Sequence, residues 1–432
     1  MKKKIFEILI CILLIVTAFP VASQATNWTV MQKLIISYGA EGDVFGWSVS
    51  LSGDTALIGA KGYDGMGVDS GSAYMTTRSG TNWTQHVMLL ASDGATQDIF
   101  GCSVSLDDDT ALIGAPGSLI NDFGSVYVFT GVGTTWTQQQ KLLASDEAEG
   151  DVFGYSVSLS GDTALIGAKW DDDKGESSGS VYVFIRNGTT WVQQAKLLAS
   201  DGASQDIFGC SVSLDDDTAL VGSKGSAYVF TRSDTSWTQQ AKLIASDGGV
   251  GNYFGYSVSL SDETVLIGAP AANDNGNNSG SAYVFIRTGT TWTQQAKLIA
   301  SDGAANDLFG SSVSLSGENA LIGAKWDDDN GLGSGSAYVF TRTGANWTQQ
   351  VKLIAPDGAE NDEFGYSVSL FEDIALIAAP KDDNNKNASG SVYVFTKGGD
   401  NEPPKTPGFE IIVVIGAIAL VMFWKRKRKH VD

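Results

Sequence analysis

The chain repeats one stretch of sequence seven times, and this repetition limits the folds that it can adopt. A Phe-Gly pair begins each copy, and successive pairs lie 55, 53, 55, 46, 55 and 55 residues apart. Each copy carries four short apolar or alternating runs. A period of this size is typical of repeat architectures, in which one supersecondary unit packs against its neighbours. The seven phenylalanines are Phe45, Phe100, Phe153, Phe208, Phe254, Phe309 and Phe364.

Repeat three shows how each copy divides into strands. Bulky and small residues alternate over residues 153–159, which predicts a first strand with one bulky and one small face. A tight turn separates it from residues 164–167, whose apolar character predicts a second strand buried on both sides. Residues 179–184 predict a third strand, and the polar residues 191–194 predict an outer fourth strand.

The two ends of the repeat array complement each other. Residues 28–34 have the sequence of a fourth strand, whereas the last repeat stops after its third strand at Phe395. Pairing the first strand of the chain into the last repeat would close the array and cover its edges. We therefore predict an all-β fold, a seven-bladed β-propeller of four-stranded blades over residues 26–396, closed by the N-terminal strand.

Composition excludes several functions. The formal net charge is −21; residues 1–25 carry +2 and residues 425–432 carry +4, which leaves −27 on the segment between them. We therefore expect no nucleic acid partner, because its phosphates would be repelled. The only histidines are His86 and His430, and the latter lies in the C-terminal tail, so we expect neither a Ser-His-Asp triad nor a histidine metal cluster. We expect Cys102 and Cys210, which follow Phe-Gly in near-identical repeats, to be buried free thiols.

The N-terminus has the pattern of a secretory signal. Three lysines precede an apolar run over residues 8–19, and the small residues at 23–25 provide a cleavage site. Residues 1–25 are therefore predicted to be a signal peptide, with the mature chain beginning near Thr26. The alternative is a retained anchor helix, which is disfavoured because the run is short for a membrane span and Pro20 follows it.

The motifs resemble a known repeat family. The Phe-Gly pairs, the Gly-Ala-Pro of residues 114–116 and 268–270, and the Gly-Ser-Ala/Val-Tyr-Val-Phe of the third strands are similar to FG-GAP repeats, the modules of the integrin α-subunit β-propeller. The likeness covers residues 28–396. Some copies depart from the pattern: Lys61, Lys169 and Lys325 replace the proline, and Ala378 replaces the glycine.

The resemblance does not extend to the calcium sites of integrins. In that family the calcium loops lie between the first two strands and need spaced aspartates, whereas this chain has only a short turn there. The chain is more similar to the shorter variety of the repeat, which lacks calcium loops and whose members are mostly secreted proteins of unassigned function.

Aspartates two residues before the phenylalanines would form a ring at the mouth of the central channel. Such a ring suggests a cation or glycan site, but a residue repeated in nearly every blade is more typical of a turn in which the carboxylate accepts backbone N–H bonds. The same reasoning applies to the Ser-Asp-Gly turns at Asp93, Asp201 and Asp302. The ring comprises Asp43, Asp98, Asp151, Asp206, Asp307 and Asp362, with Asn252 in repeat five.

Two similar acidic loops between second and third strands are better candidates for binding. An exposed tryptophan can stack on a sugar or anchor an interface, and oxygen-only clusters favour Ca²⁺. The alternative is a solvated loop whose tryptophan covers the blade edge, since three consecutive carboxylates lack the spacing of a calcium motif. The predicted binding residues are Trp170, Asp171, Asp172, Asp173, Trp326, Asp327, Asp328 and Asp329, with Asp171, Asp173, Asp327 and Asp329 as candidate Ca²⁺ ligands.

The C-terminus carries a second targeting signal. A polar linker over residues 397–408 precedes an apolar run, residues 411–424, and a basic end. Residues 409–432 resemble the PGF-type sorting signals of archaeal surface proteins, which implies cleavage by an archaeosortase and replacement by a lipid. A helix over residues 409–424 would reach only about 24 Å, short of a ~30 Å hydrocarbon core, which favours a processed signal over a retained span.

Together these features predict an exported, surface-anchored binding or adhesion module, monomeric and without a cofactor beyond the candidate Ca²⁺. Its expected partner is a surface protein or a glycan, and the membrane contact is through the C-terminal segment. The second hypothesis is a carbohydrate-active enzyme that uses paired carboxylates. Strand direction places the acidic loops on the face opposite to the exit of the C-terminal segment. Glycosylation sequons occur at Asn82, Asn187, Asn277, Asn346 and Asn387.

Overall fold

Strands account for nearly all of the regular structure. A computed structural model of the chain describes residues 28–398 except 37–38, 118–122, 249 and 384–386. The predicted signal peptide, most of the linker and the C-terminal sorting segment lie outside these residues. Within the described ranges there are 28 strands and one 3₁₀ helix, Val250–Asn252, and no helix is long and apolar enough to cross a membrane.

The strands form seven four-stranded antiparallel sheets, the blades of a propeller. Strand β1 (Trp28–Leu34) comes first in the chain. Blades one to three are β2 (Ser48–Ser52), β3 (Thr55–Ala60), β4 (Ser72–Ser79), β5 (Asn82–Leu89); β6 (Ser103–Asp107), β7 (Thr110–Ala115), β8 (Ser125–Val132), β9 (Thr135–Leu142); and β10 (Ser156–Ser160), β11 (Thr163–Ala168), β12 (Ser180–Asn187), β13 (Thr190–Leu197). Blades four and five are β14 (Ser211–Asp215), β15 (Thr218–Ser223), β16 (Ser226–Ser233), β17 (Ser236–Leu243); and β18 (Ser257–Ser261), β19 (Thr264–Ala269), β20 (Ser281–Thr288), β21 (Thr291–Leu298). Blades six and seven are β22 (Phe309–Ser316), β23 (Asn319–Ala324), β24 (Ser336–Thr343), β25 (Asn346–Leu353); and β26 (Val368–Phe371), β27 (Ile374–Ala379), β28 (Ser391–Lys397).

The N-terminal strand closes the ring, as the sequence predicts. The order in the last blade is β1-β28-β27-β26, so β1 supplies its fourth strand. Trp28 is buried in the core between blades six and seven. The Lys33 ammonium lies 2.7 Å from an Asp357 carboxylate oxygen and 2.8 Å from one of Asp382, which is buried. The two ends of the repeat array are therefore joined by a strand ladder, a core side chain and ion pairs.

The first strands begin later than the alternation predicts. In blade three the strand starts at Ser156 instead of Phe153, and Gly154 between them takes a left-handed backbone with φ of 92°. Phe153 forms a bridge with Gly124 of the preceding blade, so the Phe-Gly turn joins two blades. Among the seven blades, only the first strand of blade six starts at its phenylalanine, Phe309.

The hydrophobic core lies between adjacent blades. In the cluster shared by blades two and three, Val126 and Val128 pack against Phe153, Val157 and other residues of blade three. The Phe153 ring also meets the Tyr182 ring edge-on, with centroids 5.3 Å apart. Because each sheet buries one face against each neighbour, the second strands are fully buried, as expected from their apolar sequence.

Side-chain hydrogen bonds join the first strands around the central channel. The Leu159 N–H donates to the Ser105 hydroxyl of the preceding blade at 3.0 Å, and the Ser156 hydroxyl donates to the Gly209 carbonyl of the next blade at 2.8 Å. The leucine-to-serine bond recurs at all seven junctions, donated by Leu51, Leu106, Leu159, Leu214, Leu260, Leu315 and Leu370. A Cβ on Gly167 would lie 2.2 Å from the Gly209 carbonyl oxygen, so this approach requires glycine.

Removal of β1 tests the closure. Deletion of residues 28–36 should lower the melting temperature strongly, because it exposes the edge of β28 and leaves the buried Asp382 carboxylate without Lys33. Circular dichroism melts would measure the change. Lys33→Met keeps the strand and loses only the ion pairs, so its decrease should be smaller; an unchanged melting temperature in the deletion would contradict the closure.

Candidate functional site

The propeller has two faces of different character. The loop face carries the Asp-x-Phe-Gly turns and the connections between second and third strands: the Trp170 N–H donates to the Asp151 carbonyl, and the Trp326 N–H to the Asp307 carbonyl. The hairpin face carries the tight first hairpins and the third-to-fourth turns. There Arg186, at the end of β12, is paired with Asp162 of the first hairpin. The acidic loops therefore lie on the same face as the Ser-Asp-Gly turns, as strand direction predicts.

The aspartates of the predicted ring stabilise turns. Each carboxylate accepts a hydrogen bond from the backbone N–H three residues before it, at 2.6 to 3.1 Å. Burial raises the pKa of Asp151, Asp307 and Asp362 to about 6, with neighbouring aspartates adding to the effect. The turn interpretation is therefore confirmed. The pairs are Asp43 with Ala40, Asp98 with Ala95, Asp151 with Ala148, Asp206 with Ala203, Asp307 with Ala304 and Asp362 with Ala359.

The first aspartate of each acidic loop points into the protein. Asp171 is only 3% exposed and accepts a hydrogen bond from the Tyr182 hydroxyl at 2.9 Å. Asp327 is equally buried and accepts one from the Tyr338 hydroxyl at 2.8 Å. These two carboxylates therefore lie beneath their loops rather than on the surface.

A lysine occupies the centre of each acidic cluster. The Lys196 ammonium lies 2.8 Å from carboxylate oxygens of both Asp146 and Asp171, and 2.6 Å from one of Asp173. Burial by itself lowers the pKa of Lys196, but these hydrogen bonds raise that pKa overall. Lys352 makes the matching contacts with Asp302, Asp327 and Asp329. In each candidate Ca²⁺ cluster an ammonium group therefore already occupies the space between three carboxylates, and among the described residues no cluster of three or more His, Cys, Asp or Glu has the geometry of a metal site.

The middle aspartates and the tryptophans have different surroundings. Asp172 and Asp328 accept backbone N–H bonds from Ser177 and Gly333, which fixes the shape of the loops. Trp326 is 46% exposed, and its indole N–H donates to Glu363 at 3.1 Å. Trp170 is half-buried and borders a cavity on the loop face. The structure therefore separates the two predicted tryptophans: one faces solvent and the other faces a pocket.

This cavity lies at the mouth of the central channel. Its volume is about 620 Å³, within the usual range for small-ligand sites. The residue after each Phe-Gly pair rings the channel: Trp47, Cys102, Tyr155, Cys210, Tyr256, Ser311 and Tyr366. The cavity itself is lined by Trp47, Lys61, Gln97, Ile99, Cys102, Pro116, Gly117, Val152, Tyr155, Lys169, Trp170 and Tyr366. None of these lining residues carries a carboxylate.

Aromatic rings and lysines lie in contact inside the cavity. The Trp47 and Tyr366 rings, from the first and last blades, have centroids 4.6 Å apart. The Lys61 ammonium lies 3.1 Å from the centroid of the Trp47 ring, and the Lys169 ammonium 3.2 Å from that of Tyr155. Burial lowers the pKa of Lys61, and lowers that of Lys169 to about 8. In the sequence both lysines are departures from Gly-Ala-Pro, but no pattern there predicts that they line one pocket.

The cysteines also lie at the channel. Cys102 and Cys210 are free, as predicted, but both are half-buried in the channel wall instead of the core. They occupy this wall because the residue after Phe-Gly precedes the first strand and projects inward. Burial raises the pKa of the Cys210 thiol to about 11, so it is not an activated thiolate.

The five predicted glycosylation asparagines are exposed, and they divide between the two faces. Asn82, Asn187 and Asn346 lie at third-to-fourth turns on the hairpin face. Asn277 and Asn387 lie in connections between second and third strands on the loop face. These positions agree with the placement expected from strand direction.

The buried aspartates predict a dependence of stability on pH. Asp151, Asp307 and Asp362 have a folded-state pKa of about 6, whereas an unfolded aspartate ionises near pH 4. Between these values the folded chain binds more protons than the unfolded chain, so the free energy of unfolding falls as pH rises from about 4 to about 6. Melting temperatures should therefore be higher at pH 5 than at pH 7.5.

A triple substitution isolates this effect from general charge repulsion. Asp151→Asn, Asp307→Asn and Asp362→Asn together retain the hydrogen-bond acceptors and remove the titration, and repeat five already carries Asn252 at this position. The difference between the melting temperatures at pH 5 and pH 7.5 should shrink in this variant but not in Glu176→Gln, which alters an exposed carboxylate on the same face. An undiminished difference in the triple variant would refute the assignment.

Chelation provides a second test. Because Lys196 and Lys352 neutralise the buried carboxylates, the fold should not depend on Ca²⁺. The melting temperature is expected to be the same in EDTA and in CaCl₂, and any calcium effect should map to residues 171–173 or 327–329. Global unfolding in EDTA would show that the lysines do not replace a metal ion.

The comparisons with known proteins agree with this architecture. No curated protein sequence matches the chain. Among solved structures it is similar to a chain from "Crystal Structure of Mitotic Checkpoint Complex", with a TM-score of 0.55 and 11% identity, covering 89% of this chain and 98% of that one. At this identity the likeness shows the fold alone. The FG-GAP repeat model matches residues 28–76, 83–129, 136–184, 191–230, 237–285, 292–340 and 347–395, one match for each blade and most of the sequence. The chain therefore belongs to the FG-GAP repeat family.

Proposed function

We propose that the chain is an exported, surface-anchored and non-catalytic binding module that engages a glycan or a surface protein through the loop face of its propeller. The cavity at the channel mouth is the observation that supports this most. It combines a ligand-sized volume with four aromatic side chains, Trp47, Tyr155, Trp170 and Tyr366. Aromatic side chains provide large, rigid contact areas to sugars and to protein partners.

The positions of the carboxylates argue against the enzyme hypothesis. A glycosidase needs two carboxyl groups roughly 5 to 10 Å apart in a pocket. The described lining of the cavity beside Trp170 has none. Beneath Trp326, Glu363 is held by the indole N–H and by Lys381 at 2.8 Å, and Asp327 is held by Lys352. These carboxylates have structural partners, which favours binding over hydrolysis.

The direction of the last strand supports one orientation of the module. β28 is a third strand, so it runs toward the hairpin face, and the described chain ends one residue later at Gly398. An anchor formed by residues 409–432 would then be attached on the hairpin side and leave the loop face directed away from the membrane. The three sequons on the hairpin face suit this orientation, because attached glycans there would not obstruct the loop face.

A binding screen with matched variants tests the proposal. The full-length chain would be screened against glycan arrays and surface proteins, with and without Ca²⁺. Trp170→Ala combined with Trp326→Ala should weaken binding of the partner by at least about tenfold, as expected for aromatic anchors. The melting temperature should remain close to that of the unaltered chain.

Phe371→Ala is the control, because Phe371 is a 37%-exposed aromatic residue at the end of β26 on the hairpin face. Its affinity for the partner should be unchanged. If the double tryptophan variant binds normally and Phe371→Ala does not, the partner engages the opposite face and the proposal is wrong.

A further inference from the structure

Four of the seven blades carry a lysine at the same position on the loop face. The position directly follows the second strand, where the repeat motif has the proline of Gly-Ala-Pro. Its occupants are Lys61, Pro116, Lys169, Lys224, Pro270, Lys325 and Pro380. Since the second strands of a propeller are equivalent by rotation, these four lysines surround the mouth of the channel.

Each of these lysines lies over an aromatic ring. Beside the pairs Lys61 with Trp47 and Lys169 with Tyr155, Lys325 lies 4.6 Å from the centroid of the Tyr366 ring. Lys224 lies 6.0 Å from that of Tyr253. The rings orient the ammonium groups but do not neutralise their charge.

No carboxylate among the described residues lies within salt-bridge distance of these four ammonium groups, although the chain has a net charge of −21. The lysines of the fourth strands, in contrast, are paired with aspartates: Lys33, Lys141, Lys196, Lys242, Lys297 and Lys352. The four at the mouth are half-buried. Burial lowers the pKa of Lys61, Lys169 and Lys325, although Asp69 at Lys61 and Glu363 at Lys325 act weakly in the opposite direction. A bound anion would compensate the desolvation of these ammonium groups.

Lys61 and Lys169 both line the 620 Å³ cavity, together with the side chains of Trp47, Tyr155 and Trp170. We propose that this cavity binds an acidic sugar of the uronate class, with the carboxylate between Lys61 and Lys169 and the apolar face of the ring against the aromatic side chains. An inorganic anion would leave the aromatic walls unused, and a neutral sugar would leave the lysines without a counter-charge. This inference rests on the proposed function in one respect, that the loop face is the binding face.

The test is a calorimetric titration of the full-length chain at pH 7 with three probes: glucuronate, glucose and sodium sulfate. Glucuronate should bind, and glucose and sulfate should bind at least about tenfold more weakly, because each lacks one of the two recognised features. Equal affinity for glucose, or for sulfate, would overturn the proposal, as would the absence of glucuronate binding.

Charge-removing variants locate the site. Lys61→Met and Lys169→Met keep the length of the stem and remove the ammonium group, so each should weaken glucuronate binding by about tenfold. Lys174→Met is the matched control, since Lys174 is an exposed lysine five residues further along on the same face and outside the cavity. Unaltered glucuronate affinity in both cavity variants would overturn the assignment.

Thermal melts of the Lys61→Met and Lys169→Met variants would distinguish a binding role of these lysines from a purely structural role. Removal of a desolvated, unpaired charge should leave the melting temperature unchanged or raise it, whereas loss of a structural lysine would lower it. The proposed function and this inference can also fail separately. If the chain binds another partner through Trp170 and Trp326 but no glucuronate, only the acidic-sugar assignment is wrong; if the tryptophan variants affect no partner, the loop-face function itself is wrong.

Discussion

The hydrogen bond from a leucine N–H to a serine hydroxyl of the preceding blade is the contact on which the ring depends. Each first strand is the innermost strand of its blade. Its N–H groups that point away from the second strand would therefore have no hydrogen-bond acceptor within the sheet. Leu51 to Ser369 closes the circle that starts with Leu106 to Ser50, at 3.1 and 3.0 Å. This explains why the small residues that alternate along the first strands are serines. A serine fits into the narrow centre of the ring, and its hydroxyl accepts a hydrogen bond from the first strand of the neighbouring blade.

The narrow centre of the ring also determines the backbone conformation of the turns on the loop face. The residue between aspartate and Phe-Gly has a positive φ in every blade, including the β-branched Val44, Ile99, Val152 and Ile207 at 47° to 54°. That backbone is unfavourable for such residues and persists only where surrounding contacts hold it. Here the N–H of Ile99 donates to the carbonyl of Asp69 in the preceding blade, and that of Ile207 to Ser177. The turns around the channel mouth are consequently fixed before any ligand arrives.

The features of the fold that depend on local sequence could be predicted from the pattern of residues. The period, the four strands of each repeat and the closure by residues 28–34 could all be predicted, because strand alternation and array ends are visible in the chain. Two features could not be predicted. The first is the burial of Asp171, because its ion-pair partner Lys196 lies two strands further along the chain, and Asp146, which contacts the same lysine, lies in the preceding turn between blades. The pocket at the channel mouth unites Lys61 and Lys169, 108 residues apart, and only the radial arrangement of blades brings them together. The one sign of this pocket in the sequence is that both lysines replace the proline of Gly-Ala-Pro.

The cavity also connects binding to ring closure. Its walls come from blades one, two, three and seven, and the contact between Trp47 and Tyr366 crosses the junction that β1 completes. An opened ring would separate these two aromatic side chains, so the site exists only in the closed propeller. A ligand that binds the closed ring and not the open one stabilises the closed ring by mass action. The lysines divide accordingly. Lys196 and Lys352 are paired with buried carboxylates and stabilise the blades, whereas Lys61 and Lys169 at the mouth form no ion pair with a described carboxylate and keep their charge available for an anion.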